Sequence, residues 1–531
     1  YQTIQGYPTG GGSYTVAREN LGTSYGLVAA AALLLDYLLA AAVSLSAAVA
    51  AISSAFPTLW DYRVFIALLL LALITIINLR GVQESGNLIS IPVFGFIISF
   101  IILLVYGLIQ IVRGELVSVE QSFIPATKPL SLFLILHAFS AGCTALTGIE
   151  AISNGIPTFR PPEARNAGKT LIAMAVIMGG LFLGSIGLTQ FLGVTPNTQE
   201  TILSALARQV FGDGFLHMVI QISTMGILIV AANTSFAGFP RVASILARDR
   251  FLPTQFLALG DRLVFNNGII FLMIACGFLI VVFNADAHRL VPLFAVGAFL
   301  AFVLSQTGMV FHWRKTRGKG WRVKALLNCI GALVTAITLL VVGITKFLDG
   351  AWITILLISL LVYFFGKINA HYAEVAGELS LQKLPPPLKL HRTLRIVIPV
   401  SGVHNGVVEA VMYAKTLSKN LSAVHVELEP GSGEILTKKW NQWIPDITLE
   451  IVPSPYRSFI GPFLEYLDEK DRKHNDGQLS AVLIPEFIPA KWWHGFLHNQ
   501  TAWSIKLALL YRRRRLGFQR MIIEVPIHLK H

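Results

Sequence analysis

Asp36 and Glu150 are carboxylates set inside long apolar stretches that hold almost no other charge. A charge at bilayer depth costs about 3 kcal/mol, so such a residue faces a cavity and serves to bind or relay a cation or a proton. Asp36, Ala40 and Ser44 follow one another at i, i+4 and i+8 and share one helix face. Tyr37 is adjacent and Ser46 lies on a neighbouring face. An ion stripped of water needs several oxygen ligands, and a stripe of carboxylate, hydroxyl and carbonyl groups provides them. The alternative is that Asp36 pairs with a cation or a helix end, but no Lys or Arg stands at comparable depth in the apolar stretches.

The run from Gly142 to Pro157 (GCTALTGIEAISNGIP) holds the second acid. Thr147 and Glu150 are spaced i, i+3 on one face. Gly142 and Gly148 predict a break, and a discontinuous helix is where transporters expose backbone carbonyls and half-helix dipoles to a substrate at mid-membrane. A Gly-rich packing helix would explain the glycines but not Glu150. His137 reads either as a proton relay or as an interfacial ring. Asn233, Thr234 and Ser235 are peripheral candidates, because Ser and Thr in membrane helices often bond their own backbone.

The elements that position these groups follow from composition. Of 531 residues, 54% are hydrophobic and 13% charged, with a mean hydropathy of +0.64; soluble chains are near 25% charged. Apolar stretches long enough to cross a bilayer are expected over about 23–56, 64–79, 88–112, 130–157, 168–193, 215–239, 266–284, 289–311, 325–346 and 351–366. The loops on one side carry fourteen Lys and Arg, ending in the cluster from Arg314 to Lys324, against about six on the other. The richer side is predicted to be cytoplasmic, and the C-terminal tail falls there. This bias explains the formal charge of +13 without nucleic acid. Cys143, Cys276 and Cys329 have no pairing or metal spacing and read as packing residues.

Past residue 370 the pattern changes. The domains predicted are a transmembrane part over 1–370, a Pro-rich linker over 371–392 and a cytoplasmic α/β domain over 393–531. In the last, strands near 394–400, 422–428, 447–452, 480–487 and 521–527 alternate with helical stretches, which implies a mainly parallel sheet. No Walker or dinucleotide Gly motif follows the first strand. His498, Asn499, Gln500 and the run Arg512–Arg515 are its most unusual residues; the run is read either as an anion site or as a solvated or interface surface. Nothing points to an enzyme.

Several strings together resemble one superfamily. Gly10-Gly11-Gly12-Ser13-Tyr14 with Arg18-Glu19-Asn20-Leu21-Gly22, Asn78-Leu79-Arg80-Gly81, and Pro240-Arg241 followed by Ala247-Arg248-Asp249-Arg250-Phe251-Leu252-Pro253 are similar to loops of the amino acid–polyamine–organocation permeases. Thr147–Pro157 and the α/β tail narrow the resemblance to the KimA-type potassium importers of the KUP branch. The resemblance implies a LeuT-like five-plus-five inverted repeat of twelve helices, of which this chain holds ten. The first two would precede Tyr1, and the chain as written is not expected to transport without them. It also implies that Asp36, Tyr37, Ser44, Thr147 and Glu150 form the ion site, with a monovalent cation at Asp36, Ser44 and Thr147. Ala40 and Phe294 stand where the group carries hydroxyls, and with Asn233 they are expected to lie just behind the ion ligands. The tail resembles universal-stress-protein domains, which implies a homodimer and regulation by a cyclic dinucleotide; no resident cofactor is implied.

Three readings follow for a multi-pass plasma-membrane protein. The first is a proton-coupled potassium importer. The second is an amino acid or amine symporter on the same scaffold, favoured by the lost hydroxyls at Ala40 and Phe294. The third is a non-transporting sensor or scaffold.

Overall fold

A computed structural model describes residues 2–7, 12–81, 86–116, 130–144, 148, 150–156, 159–195, 200–260, 264–318, 320–378, 380, 393–455, 458–476, 478–488, 500–517 and 520–528; the side chains of residues 86–89, 150, 154, 378, 500 and 516 are not among them. The chain divides into two compact units, Tyr1–Ser380 and Leu381–His531.

The first unit is helical. Its helices are α1 (Gln2–Gly6), α2 (Gly12–Leu21), α3 (Thr23–Ala55), α4 (Arg63–Leu79), α5 (Gly86–Val112), α6 (Leu132–Cys143), α7 (Glu150–Asn154), α8 (Glu163–Phe191), α9 (Ile202–Phe211), α10 (Phe215–Arg248), α11 (Asn266–Val282), α12 (Ala287–Thr316), α13 (Trp321–Thr345) and α14 (Trp352–Glu378). Among the described residues, eight helical segments are long and apolar enough to cross a membrane. The other two expected spans differ. Asn266–Val282 is apolar but has only 17 residues. The stretch 130–157 is two pieces, α6 and α7, with Gly148 at φ +91° between them. That backbone conformation excludes most side chains and ends the regular helix.

The helices are sorted by burial. In α3, 78% of the apolar window is buried, against 6% in α8. α3 is therefore a central rod, packed by α2, α4, α10, α11, α12 and α14, while α8 presents its Leu, Ile and Phe side chains outward to lipid. The Ala-rich sequence of α3 explains its place, since small side chains let neighbouring backbones approach closely. Three short helices were not expected, the first being α1 (Gln2–Gly6). α2 falls where a loop was read, and α9 is an amphipathic piece capped by Thr201, whose hydroxyl accepts from Ser204 N at 3.2 Å.

The second unit is a five-stranded parallel sheet of order β3-β2-β1-β4-β5: β1 (Arg395–Pro399), β2 (Asn420–Glu427), β3 (Leu449–Pro453), β4 (Ala481–Ile488) and β5 (Ile522–His528). The connecting helices are α15 (Asn405–Leu417), α16 (Ser432–Trp443), α17 (Ile460–His474) and α18 (Gln500–Leu516). Alternate residues of β1 enter opposite cores. Ile396 and Ile398 pack with Val407, Val411 and Trp440 of α15 and α16, and Val397 packs with Phe463, Leu467 and Ile505 of α17 and α18. Both sheet faces are covered, as a parallel sheet requires.

Candidate functional site

Asp36 lies mid-way along α3 and is 1% exposed; Tyr37 is 3% exposed. Both are held inside the protein, away from the lipid face. A charged group persists at that depth only where protein partners receive it, and two glycines position it. On α12, Gly297 faces the α3 backbone so closely that a Cβ there would lie 3.2 Å from Ala32 O and 4.0 Å from Asp36 Cβ. On α10, a Cβ at Gly238 would lie 2.5 Å from the Tyr37 ring. Asp36 is thus seated towards α12 and Tyr37 across α10.

Ala40 and Ser44 continue the Asp36 face and are half-buried. From Asp36 to Ser44 is about 12 Å along the helix at ~1.5 Å per residue. Ser46, on the next face, is buried and donates to Ala42 O at 2.8 Å, so its hydroxyl is spent on its own helix. Phe294, on α12 three residues before Gly297, packs its ring against the central core. Thr147 lies outside the described residues, and of Glu150 only the backbone, at the start of α7, lies within them. Glu150 opens α7, across the break from α6.

Of the peripheral candidates two are hydrogen-bonded, whereas Ser235 is 1% exposed and its hydroxyl has no partner among the described residues. Asn233 Oδ1 accepts from Asn78 Nδ2 at 2.7 Å, tying α10 to the end of α4. Thr234 donates to Ala231 O. His137, midway along α6, meets Lys346 Nζ at 2.8 Å and Asp349 Oδ2 at 3.4 Å beyond the end of α13. It is a polar link from the middle of α6 to the end of α13. Cys143 and Cys276 are buried, but Cys329 is exposed on α13, which corrects its reading as a packing residue.

One arrangement escaped the sequence. Tyr14 of α2 donates to Asp249 Oδ2 at 2.6 Å, and Arg18 pairs with the same oxygen. Tyr14 is 2% exposed, and burial, reinforced by Asp249, pushes its phenol above the ordinary value. Asp249 is the C-cap of α10, so the knot ties α2 to the basic end of that helix. Both strings were visible as loop motifs. That they meet required the fold.

In the tail, His498 and Asn499 lie outside the described residues, as does the Gln500 side chain. Of the basic run only Arg512 is half-buried; Arg513, Arg514 and Arg515 are exposed. Arg512 pairs with Asp468 at 2.7 Å and Arg513 donates to Arg520 O at 3.0 Å, while Arg515 bonds Tyr511. These bonds and this exposure favour the reading of Arg512–Arg515 as a solvated or interface surface over an anion site. Among the described residues no three His, Cys, Asp or Glu side chains are grouped as metal ligands.

Comparison with known proteins covers the whole chain. Residues 1–366 match the amino acid permease family, and residues 391–526 match the KimA potassium transporter C-terminal domain. The chain is 40% identical over 532 aligned residues to the potassium transporter KimA of Bacillus subtilis, covering 100% of this chain and 86% of that protein. It is 22% identical over 333 residues to the low-affinity putrescine importer PlaP of Escherichia coli, covering 60% of this chain and 70% of the other.

Proposed function

The chain belongs to the amino acid permease family, in the branch that carries a KimA-type tail, and from that premise we propose that it imports potassium, coupled to protons. It is a multi-pass transporter of the plasma membrane, with the lipid bilayer as its solvent. The observation that carries the substrate is the near-complete burial of Asp36 on the central helix. A fixed carboxylate there offers charge to a cation entering the path, and Ser44, about 12 Å further along the same face, joins Thr147 in offering hydroxyl oxygens suited to a hard monovalent cation.

Each residue has a separate task in this reading. Asp36 draws the cation from water, and Ser44 and Thr147 replace part of its hydration shell. Tyr37, wedged over Gly238, gates the passage between α3 and α10. Glu150, at the start of the half-helix α7, exchanges a proton as the cation enters or leaves. Ala40 and Phe294 supply no oxygen, so water fills the remaining coordination. The tail, with its fully covered parallel sheet, serves as a cytoplasmic regulatory and dimerising module of the stress-protein type.

Rubidium-86 uptake tests the reading. Glu150→Gln is expected to uncouple uptake from the proton gradient, and unchanged pH-dependent uptake in that variant would reject the proton role. A second substrate class has one observation in its favour: the similarity to an importer named for putrescine, whose ammonium groups a buried carboxylate would also receive. Competition by putrescine or amino acids against rubidium separates the two. Displacement by millimolar amine, with potassium ineffective, would overturn the potassium assignment.

A further inference from the structure

The last helix of the tail presents an outer face that neither the sheet nor the ion path uses. α18 turns Ala502, Ile505 and Leu509 into the core, against Val397, Phe463 and Leu467. On its other side Leu507, Leu510 and Tyr511 are 68%, 42% and 58% exposed, at the i, i+3, i+4 spacing of one stripe. The stripe runs on into the exposed Arg514 and Arg515, and the Arg515 guanidinium lies 5.8 Å from the centre of the Tyr511 ring.

The charge on this face is of one sign. α18 contains no acid. Its inward cations are paired, Lys506 with Glu486 and Glu524 and Arg512 with Asp468. The outward ones meet uncharged groups: Arg513 donates to Arg520 O and Arg515 to the Tyr511 phenol. The exposed Arg472 of α17, one turn beyond Asp468, adds to the same end. A helix dipole favours basic residues in a last turn, which would explain the arginines alone. It does not explain three large apolar side chains left in water beside them.

Neighbouring helices lack this combination. α17 covers the same sheet face, and its outer side carries Glu465, Glu469 and Lys473. On α15, Met412 and Tyr413 are exposed too, but they stand beside Glu409, and Lys415 is paired with Asp446. An apolar helix stripe that ends in arginines suits an anionic lipid surface: the apolar groups enter the boundary between headgroups and acyl chains, and the guanidinium groups meet phosphate. The tether permits it. The sixteen residues between Glu378 of α14 and Arg395 of β1 extend to at most about 55 Å, which keeps the tail within reach of the bilayer. A second copy seated on the same stripe would instead bring a second set of unneutralised arginines with it.

We propose that the outer stripe of α18 docks on the anionic inner surface of the membrane, with Leu507, Leu510 and Tyr511 at the headgroup boundary and Arg514 and Arg515 on lipid phosphates. The docking needs the tail on the cytoplasmic side, and it holds whichever substrate the membrane part carries.

The test uses the whole protein with Cys329→Ser, reconstituted in nanodiscs of phosphatidylcholine alone or of equal parts phosphatidylcholine and phosphatidylglycerol. Leu510→Cys is labelled with an uncharged polyethylene glycol maleimide. Labelling is expected to be slower by roughly tenfold or more in the anionic discs, and faster again at high salt. Adding Arg514→Glu and Arg515→Glu should abolish the difference. Glu469→Cys on α17 should label at one rate in both lipids and in the arginine variants, which shows that the tail stays folded. Equal fast labelling of Leu510→Cys in both lipids overturns the docking. Equal slow labelling in both lipids and in detergent also overturns it, because a protein surface then covers the stripe.

Discussion

The ring of Tyr37 lies directly across the backbone of Gly238: a Cβ added to that glycine would fall 2.5 Å from Cε1 and Cζ and 3.0 Å from the phenol oxygen. Contact of this kind leaves no room for a methyl group, and overpacking a buried site costs about 1–3 kcal/mol. Gly238→Ala should therefore push Tyr37 off α10, cutting rubidium uptake while the protein still reaches the membrane. Tyr37→Leu combined with Gly238→Ala should tolerate the methyl better than Gly238→Ala alone when thermal stability is measured. Equal melting of Gly238→Ala and wild type would contradict the packing.

Asp36→Asn keeps the shape of the side chain and removes its charge. A charge-assisted contact is worth about 1.5–3 kcal/mol, equivalent to roughly 10- to 100-fold in affinity. The apparent affinity for rubidium should fall by that order, with expression unchanged. A variant with wild-type affinity would move the cation site away from α3.

Much of this architecture was legible because lipid imposes simple rules. Burial of Asp36 within protein followed from the cost of exposing it to acyl chains, and the interruption near Gly148 followed from glycine spacing. The strands of the tail were readable from apolar runs that alternate with helices. What the sequence hid were contacts made by amphipathic or polar pieces between distant segments. α2 looks like a loop because Gly12, Ser13, Arg18, Glu19 and Asn20 dilute its apolar face. Its partner Asp249 is 235 residues from Tyr14, and no local pattern announces the pair. The engagement of Asn233 by Asn78 was hidden for the same reason.

The Tyr14–Asp249–Arg18 knot behaves as one unit if its geometry is right. Asp249→Asn weakens both links at once, whereas Tyr14→Phe removes only the 2.6 Å bond. Groups sharing a partner are non-additive by about 0.5–3 kcal/mol. Tyr14→Phe should lower the melting temperature in the wild-type background and change it little in the Asp249→Asn background. Fully additive shifts would show that the two residues do not act through one another.

In the tail, Arg395 and Arg520 are buried around Asp471 and are held by further carboxylates and by Ser480. Arg395 donates to both oxygens of Asp476 at 3.0 and 3.1 Å, Arg520 lies 2.8 Å from Asp471, and Ser480 donates to Asp471 from both backbone and hydroxyl. Removing one member of a buried ionic group costs about 3–5 kcal/mol, because the other charges stay buried. Asp471→Ala should therefore raise the protease sensitivity of the tail by roughly 100-fold or more, measured on the whole protein. The exposed pair Lys415–Asp446, at 2.6 Å, is the control. Asp446→Asn should leave proteolysis unchanged, since exposed ion pairs contribute little. If both substitutions left the tail equally resistant, the buried network would not be what holds the sheet and α17 together.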